Sequence, residues 1–395
     1  MPRPVLSAFA ALVVSSLLAS CSSPNDAGPV ASASGEPAAA SAAPPPAPPK
    51  PPPEPRVTRT PAGVDALSPV YTIDKIYRSM MGPQSQQRIH LKEETAPAGI
   101  AWLTGLKATM VGADGETLVP PEYMCHSNLD VDPIEHEKIY GHALSTSGRL
   151  FTLSQGQLDV QLPPGFGIPV RTDQKIDLTT QVLNLNHHGE PMQVRHHVEM
   201  SVVPDGVKPM KPLFMAGVYG LHLLKGDHGV FGEEKPKHEG SACTMGKAAS
   251  NGEYVDQHGK EFTGHWIVKP GREVSKTRVT TMMSLPFDTT IHHIAVHLHP
   301  FAESLKLVDL TTGTTVYEAK TRQLGGKIGL EHVDSFSSVE GIPVFKDHEY
   351  ELVSVYNNTT DVDQDSMAVL LLYMLDKEFS PEPKPAPAPK KRASR

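Results

Sequence analysis

Four histidines fall within ten residues in the run Ile291-His292-His293-Ile294-Ala295-Val296-His297-Leu298-His299-Pro300. The β-branched content and the alternation from Ile294 to His299 predict a strand. Side chains alternate along a strand, so His297 and His299 point to the same face. Two imidazoles fixed on one face make half of a metal site, and neutral imidazole suits copper, zinc, iron and nickel. Downstream, Asp363-Gln364-Asp365-Ser366-Met367-Ala368-Val369-Leu370 leads into a strongly apolar strand with Met367 at its head. Thioether sulfur is a soft donor suited to Cu(I), so His297, His299 and Met367 together point to copper and favour its reduced state. The same residues also read as a polar strand face and a core methionine.

Other histidines fit chemistry less well. His136-Glu137-Lys138-Ile139-Tyr140-Gly141-His142 lacks the H-E-x-x-H spacing of zinc proteases. His196-His197 alternate across a strand, and His292-His293 are expected to split, one facing in and one out. Cys125 and Cys243 follow Cys21 as the only other cysteines, and in an oxidising envelope they could pair.

The elements that must hold these residues read as β-structure. Apolar or alternating runs such as Phe151-Thr152-Leu153, Leu158 to Leu162, Gln181 to Leu185, Ser304 to Val308 and Ala368 to Leu372 are broken by Gly, Pro and Asn. Thr311-Thr312-Gly313-Thr314 predicts a hairpin turn. The class is all-β, and a core of roughly 300 residues exceeds one ordinary sandwich. Two tandem sandwich domains are expected, at 62–210 and 211–378, with a Gly- and Lys-rich surface excursion at 225–264. A Pro/Ala-rich linker is expected over 22–61 and a disordered Pro/Lys tail over 379–395. Much of the high proline content, 18 of 38, sits in those two flanks. A net charge of -8 over 395 residues argues against a nucleic-acid partner.

The first 21 residues carry Arg3, an apolar run from Val5 to Leu18, and then Leu18-Ala19-Ser20-Cys21. That tetrad resembles the lipobox of bacterial lipoproteins, which implies lipidation of Cys21 and a chain anchored at a membrane surface without a spanning helix. Ser22 after the cysteine resembles the outer-membrane sorting pattern, so the expected location is the bacterial cell envelope.

Longer motifs carry a second resemblance. Val268-Lys269-Pro270-Gly271, Ala295-Val296-His297-Leu298-His299, Asp365-Ser366-Met367 and Leu372-Tyr373-Met374 resemble the second domain of the copper type II, ascorbate-dependent monooxygenases. That family includes peptidylglycine α-hydroxylating monooxygenase and dopamine β-monooxygenase. Pro212 to Tyr219 resembles its inter-domain strand, and Phe151 through Val170 a segment of its first domain. The resemblance covers roughly residues 70 to 378, apart from the excursion, and implies two jelly-roll-like β-sandwiches. It places the catalytic copper on His297, His299 and Met367, with a small-molecule substrate, O2, and ascorbate or another reductant as electron source. A non-catalytic copper-binding envelope lipoprotein is the alternative. The family's second copper has a His-His pair and a later His. Here those places hold Cys125-His126 and Asn186, with His187 adjacent, so His126, Cys125 and His187 form a degenerate second set. Ala295, Val369 and Leu371 stand where the peptide-amidating members hold a carboxylate. Their apolar character argues for a small apolar or aromatic substrate.

Overall fold

The alternating runs become strands, and the layers they form explain which way the histidines face. The computed structural model describes residues 51–224, 230, 253–256 and 258–380. Cys21, Cys243, most of the proposed linker, much of the excursion and nearly all of the tail lie outside the described residues. The fold is all-β, a set of packed sheets. Among the described residues no helix is long and apolar enough to cross a membrane.

One eleven-stranded sheet runs through the molecule. Its first half includes Ile100–Gly112 and Met192–Pro204, paired antiparallel over most of their length. Its second half includes Lys211–Tyr219, Ala368–Leu375 and Thr289–Leu298, neighbours in that order. The halves are joined where Lys211 and Pro212 pair parallel with Phe166 and Gly167. A four-stranded sheet, built of Gln84–Ile89, Ile176–Val182, Met124–Val131 and Arg149–Leu153, shares one apolar core with the first half. A five-stranded sheet centred on Tyr350–Asn358 and Ala302–Asp309 shares a second core with the other half.

The three middle strands of the second half are buried on both faces, which is why Lys211–Tyr219 and Ala368–Leu375 read as nearly unbroken apolar runs rather than alternating ones. Leu213, Met215, Val369, Leu371 and Tyr373 enter the first core, while Phe214, Ala216, Val218, Leu370 and Leu372 enter the second. The Thr289–Leu298 strand obeys the same division, with Ala295 in the first core and Ile294, Val296 and Leu298 in the second. A β-bulge between Ile291 and His293 resets the phase of this strand. It sets His293 opposite Tyr373 and His297 opposite Val369, so the odd-numbered residues turn toward the first half of the molecule.

Several expectations change in detail. The linker ends sooner than 61, because Arg56–Thr60 is already a strand paired with Gly63–Leu67. It is an exposed edge strand without an apolar face, so hydrophobic patterning could not reveal it. Phe379, expected to open the tail, packs edge-on against Trp102 and Tyr140. Within the excursion, Glu253–Val255 and Glu261–Thr263 form a small sheet with His222–Leu223. The predicted hairpin turn joins Ala302–Asp309 to Thr314–Gln323. Gly313 takes the left-handed conformation there (φ 72°), and the Asp309 carboxylate accepts the Thr311 and Thr312 N–H groups.

Candidate metal centre

His297 lies near the end of the Thr289–Leu298 strand and His299 immediately past it, and both are buried. The partner strand fixes what faces them. His297 is opposite Val369 and Leu298 is opposite Ala368. One step on, the His299 N–H donates to the Met367 carbonyl (3.3 Å). Residues opposite one another in an antiparallel pair project from the same face. Met367 therefore shares a face with the two imidazoles, as alternation and register together require. Its side chain is half-buried and lines a cavity of about 570 Å³ together with His297.

The first half of the molecule supplies the opposite wall. His126 lies on the Met124–Val131 strand, opposite Gln181. Its Nε2 stands 3.4 Å from His297 Nε2, and the ring centroids are 4.8 Å apart. His297 Nδ1 is hydrogen-bonded to Ser154 Oγ (3.0 Å), just past the end of the Arg149–Leu153 strand. Gln157, in the same turn, accepts the Val296 N–H through Oε1 (2.7 Å) and pins the histidine strand to that turn. His299 is held differently. Its Nε2 is hydrogen-bonded to Ser79 Oγ (3.0 Å), and its Nδ1 lies 3.3 Å from the Asp365 carboxylate without a well-directed hydrogen bond.

A fourth imidazole, His265, was not singled out by the sequence. Its ring centroid is 5.7 Å from that of His299, it lines the large cavity, and its Nε2 is buried without a partner. Standing immediately before the Trp266–Val268 strand, it fell at the seam between the excursion and the domain motif. The signal that could have found it is Trp266–Val268 pairing with Gln364–Ser366, which carries the approach to Met367.

The degenerate second set does not assemble. Cys125 and His126 are adjacent, with Sγ 3.2 Å from His126 Nδ1. His187 is turned into its own loop, hydrogen-bonded through Nε2 to the Glu190 carbonyl (2.8 Å). The reason is local: Asn184 accepts the His187 N–H in an Asx turn and, with Asn186 bound to Ile328, holds this loop away from His126. Cys125 is a free, buried thiol, and its expected disulfide partner lies outside the described residues. The expected split of His292 and His293 also fails. Both are buried, because the bulge tucks His292 against the Phe166 ring at 4.1 Å, with hydrogen bonds to Thr290 Oγ1 and the Ser338 carbonyl.

Burial sets the protonation states. It pushes His126 down to about 3 and His297 well below the ordinary histidine value, with each neighbouring imidazole adding to the effect. Burial pushes the Cys125 thiol up to about 12, so without a cation nearby it stays protonated. At neutral pH His126 and His297 are therefore neutral imidazoles, the form that ligates metals.

The large cavity is of a size that accommodates a small organic molecule. Tyr219, Val369 and Leu371 form an apolar wall, and Gln84, Asn128 and Thr152 a polar one. Ala295, Val369 and Leu371 are apolar as expected, yet the cavity does hold a guanidinium. Arg149 reaches it from the opposite sheet, bonded to Asp130 and to Thr152 Oγ1. Arg149 comes from the opposite sheet, because the strand neighbours of His297 are only half of the wall. Beside the His126–His297 pair, a separate space of about 40 Å³ borders His299, Cys125 and Asp365, a size suited to an ion or a water rather than a substrate.

A second group of candidate ligands, Asp65, His197 and Glu199, lies on the outer face of the first half, where Glu199 pairs opposite Asp65. It is half-exposed and its carboxylates already face Arg56 and Lys107.

No protein-family model matches the sequence, and no curated protein matches it. Among solved structures the chain is similar to the cowpea mosaic virus top component, the naturally occurring empty particles, at 8% identity and a TM-score of 0.29, covering 75% of this chain and 92% of that one. It is also similar to a putative membrane anchored protein from Corynebacterium diphtheriae, at 9% identity and a TM-score of 0.17, covering 79% of this chain and 88% of that one. Likenesses this distant carry no argument about activity, and the reading of the site rests on its own residues.

Proposed function

We propose that the protein is a copper-dependent monooxygenase that hydroxylates a C–H bond of a small substrate, using O2 and a reductant such as ascorbate. The observation that carries this reading is the shared face of His297, His299 and Met367, with His297 and Met367 lining a substrate-sized cavity. Two imidazoles and a thioether are a donor set matched to Cu(I), and the buried Nε2 of His265 and Nδ1 of His299 lack a well-directed hydrogen bond, a role that a cation could fill. When bound, copper supplies one-electron chemistry and O2 activation.

The residues of the chain do the rest. Ser154 fixes the ring of His297 through Nδ1, which leaves Nε2 as the donor. Ser79 and Asp365 flank the two nitrogens of His299 and set its orientation. Tyr219, Val369 and Leu371 exclude water from one side of the substrate space. Arg149, with Asp130 and Thr152, gives the other side a polar, charge-balanced surface. A substrate with an apolar body and one polar end matches those walls. The lipid anchor at Cys21 and an envelope location belong to the same proposal, for a chain exposed to O2 and extracytoplasmic copper.

The test is O2 uptake by the copper-loaded full-length chain with ascorbate and a panel of small aromatic and amphiphilic substrates. Substrate-dependent uptake that disappears in His297→Ala supports the enzyme. Stoichiometric copper binding without uptake across the panel overturns it in favour of a copper-holding lipoprotein. The placement of His187 away from His126 favours that second reading, because a separate electron-transfer copper then lacks its ligands.

A further inference from the structure

We infer that His126 and His297 ligate one and the same cation, so that the centre is a single site built from both halves of the chain rather than two separate copper sites. The inference rests on the copper reading above and specifies its donor set.

Each ring is bonded at its outer nitrogen. His297 Nδ1 is bonded to Ser154 Oγ at 3.0 Å, and His126 Nδ1 to Cys125 Sγ at 3.2 Å. Cys125 Sγ in turn lies 3.8 Å from Gln181 Oε1, the residue paired opposite His126. Where the thiol proton goes to Gln181, the sulfur accepts from His126 Nδ1–H. Where Ser154 Oγ accepts from His297 Nδ1–H, both rings present bare Nε2 lone pairs to each other inside a buried site. Two lone pairs so placed repel unless something positive lies between them.

The spacing indicates what that is. The Nε2 atoms are 3.4 Å apart, long for an N–H···N hydrogen bond. Two imidazole nitrogens bound tetrahedrally to one cation at about 2.0–2.1 Å lie about 3.3–3.4 Å apart. The pair thus stands at the edge length of a tetrahedral d10 site, the geometry that Cu(I) and Zn(II) share. Met367 and His265 line the same cavity as both rings, so a thioether and a further imidazole border the space the pair faces.

The experiment titrates Cu(I) into the full-length chain against a competing chromophoric chelator and counts the bound imidazoles by X-ray absorption. Wild type is expected to take one equivalent. His126→Ala is expected to weaken it by more than about 100-fold, beyond the range for an outer partner, and to remove one imidazole from the ligand shell. His187→Ala is expected to leave both readouts unchanged. Two equivalents in wild type, with His126→Ala abolishing only one, would overturn the shared cation and leave the copper reading standing. One equivalent with unchanged affinity in His126→Ala would overturn it as well. No Cu(I) binding by wild type would overturn both readings together. Thermal melting of the metal-free variants checks folding, and His126→Asn replaces His126→Ala if the truncation unfolds the chain.

Discussion

Ser154 holds His297 by its Nδ1 nitrogen, at 3.0 Å, across the boundary between two sheets. Ser154 is itself fixed by reciprocal backbone hydrogen bonds with Gln157, in a turn where Gly156 adopts the left-handed conformation (φ 80°). The direction in which His297 Nε2 points is thus decided by a turn in one half of the molecule and read out by a strand in the other.

Removing that hydroxyl frees the imidazole to rotate. Ser154→Ala is expected to lower Cu(I) affinity by roughly 10- to 100-fold, the usual effect of losing an outer partner. The fold itself should lose only about 1 kcal/mol. Chelator competition and urea melts on the same preparation separate the two effects. Ser154→Thr, which keeps the hydroxyl, should retain wild-type affinity; an equal loss in both variants would mean that packing rather than the hydrogen bond is responsible.

Met367→Leu preserves volume and removes only the sulfur. Because Met367 is half-buried and packs against the first core at its edge, the stability change should stay under about 1.5 kcal/mol. Preference for Cu(I) over Cu(II) should fall, since the soft donor is gone. Redox titration of copper-loaded wild type and variant reads this directly, and an unchanged potential would remove Met367 from the ligand set.

Acid should destabilise the metal-free protein at a pH well above the carboxylate range. Burial pushes His136 down to about 4 and His196 down to about 3. In the unfolded chain these groups titrate near 6.5. As pH falls below about 6.5, the unfolded state takes up protons that the folded state refuses. The stability of the folded form is then full above that pH and is lost on descent toward the folded values. Each such histidine adds a slope of at most about 1.4 kcal/mol per pH unit. Urea midpoints should therefore drop between pH 7.5 and pH 5, and His196→Asn should flatten the profile. A flat wild-type profile over that range would refute the assignment.

Tyr373 ties the two halves together, donating its hydroxyl to the Leu150 carbonyl (3.0 Å) and stacking on Phe151. It is fully buried, so Tyr373→Phe leaves that carbonyl without this partner at a cost of about 1–3 kcal/mol. Differential scanning calorimetry should show the loss in a single transition. If the two cores unfold separately, the early transition should be the one that shifts.

Local rules made part of this molecule legible. Period-two alternation put His297 and His299 on one face, and the apolar run after Met367 announced a strand. The hairpin at Gly313 followed from turn chemistry alone. Other features were illegible for identifiable reasons. The bulge at His292 depends on how its strand meets two neighbours, so no count along the chain predicts that both His292 and His293 are buried. His187 looked interchangeable with a ligand by position, and only the Asx turn at Asn184 shows it held elsewhere.

The sequence by itself determined the all-β class, the pairing of His297 with His299 and the presence of a soft donor on a late strand. Alternation and composition are properties of consecutive residues, which is why they can be read directly. The tertiary structure decided which half of the molecule those imidazoles face, that His126 meets His297 from 171 residues away, that His265 joins them, and that Arg149 reaches the same cavity. Those contacts arise from the packing of one sheet on another, where the closeness of two side chains depends on register and layer rather than on distance along the chain.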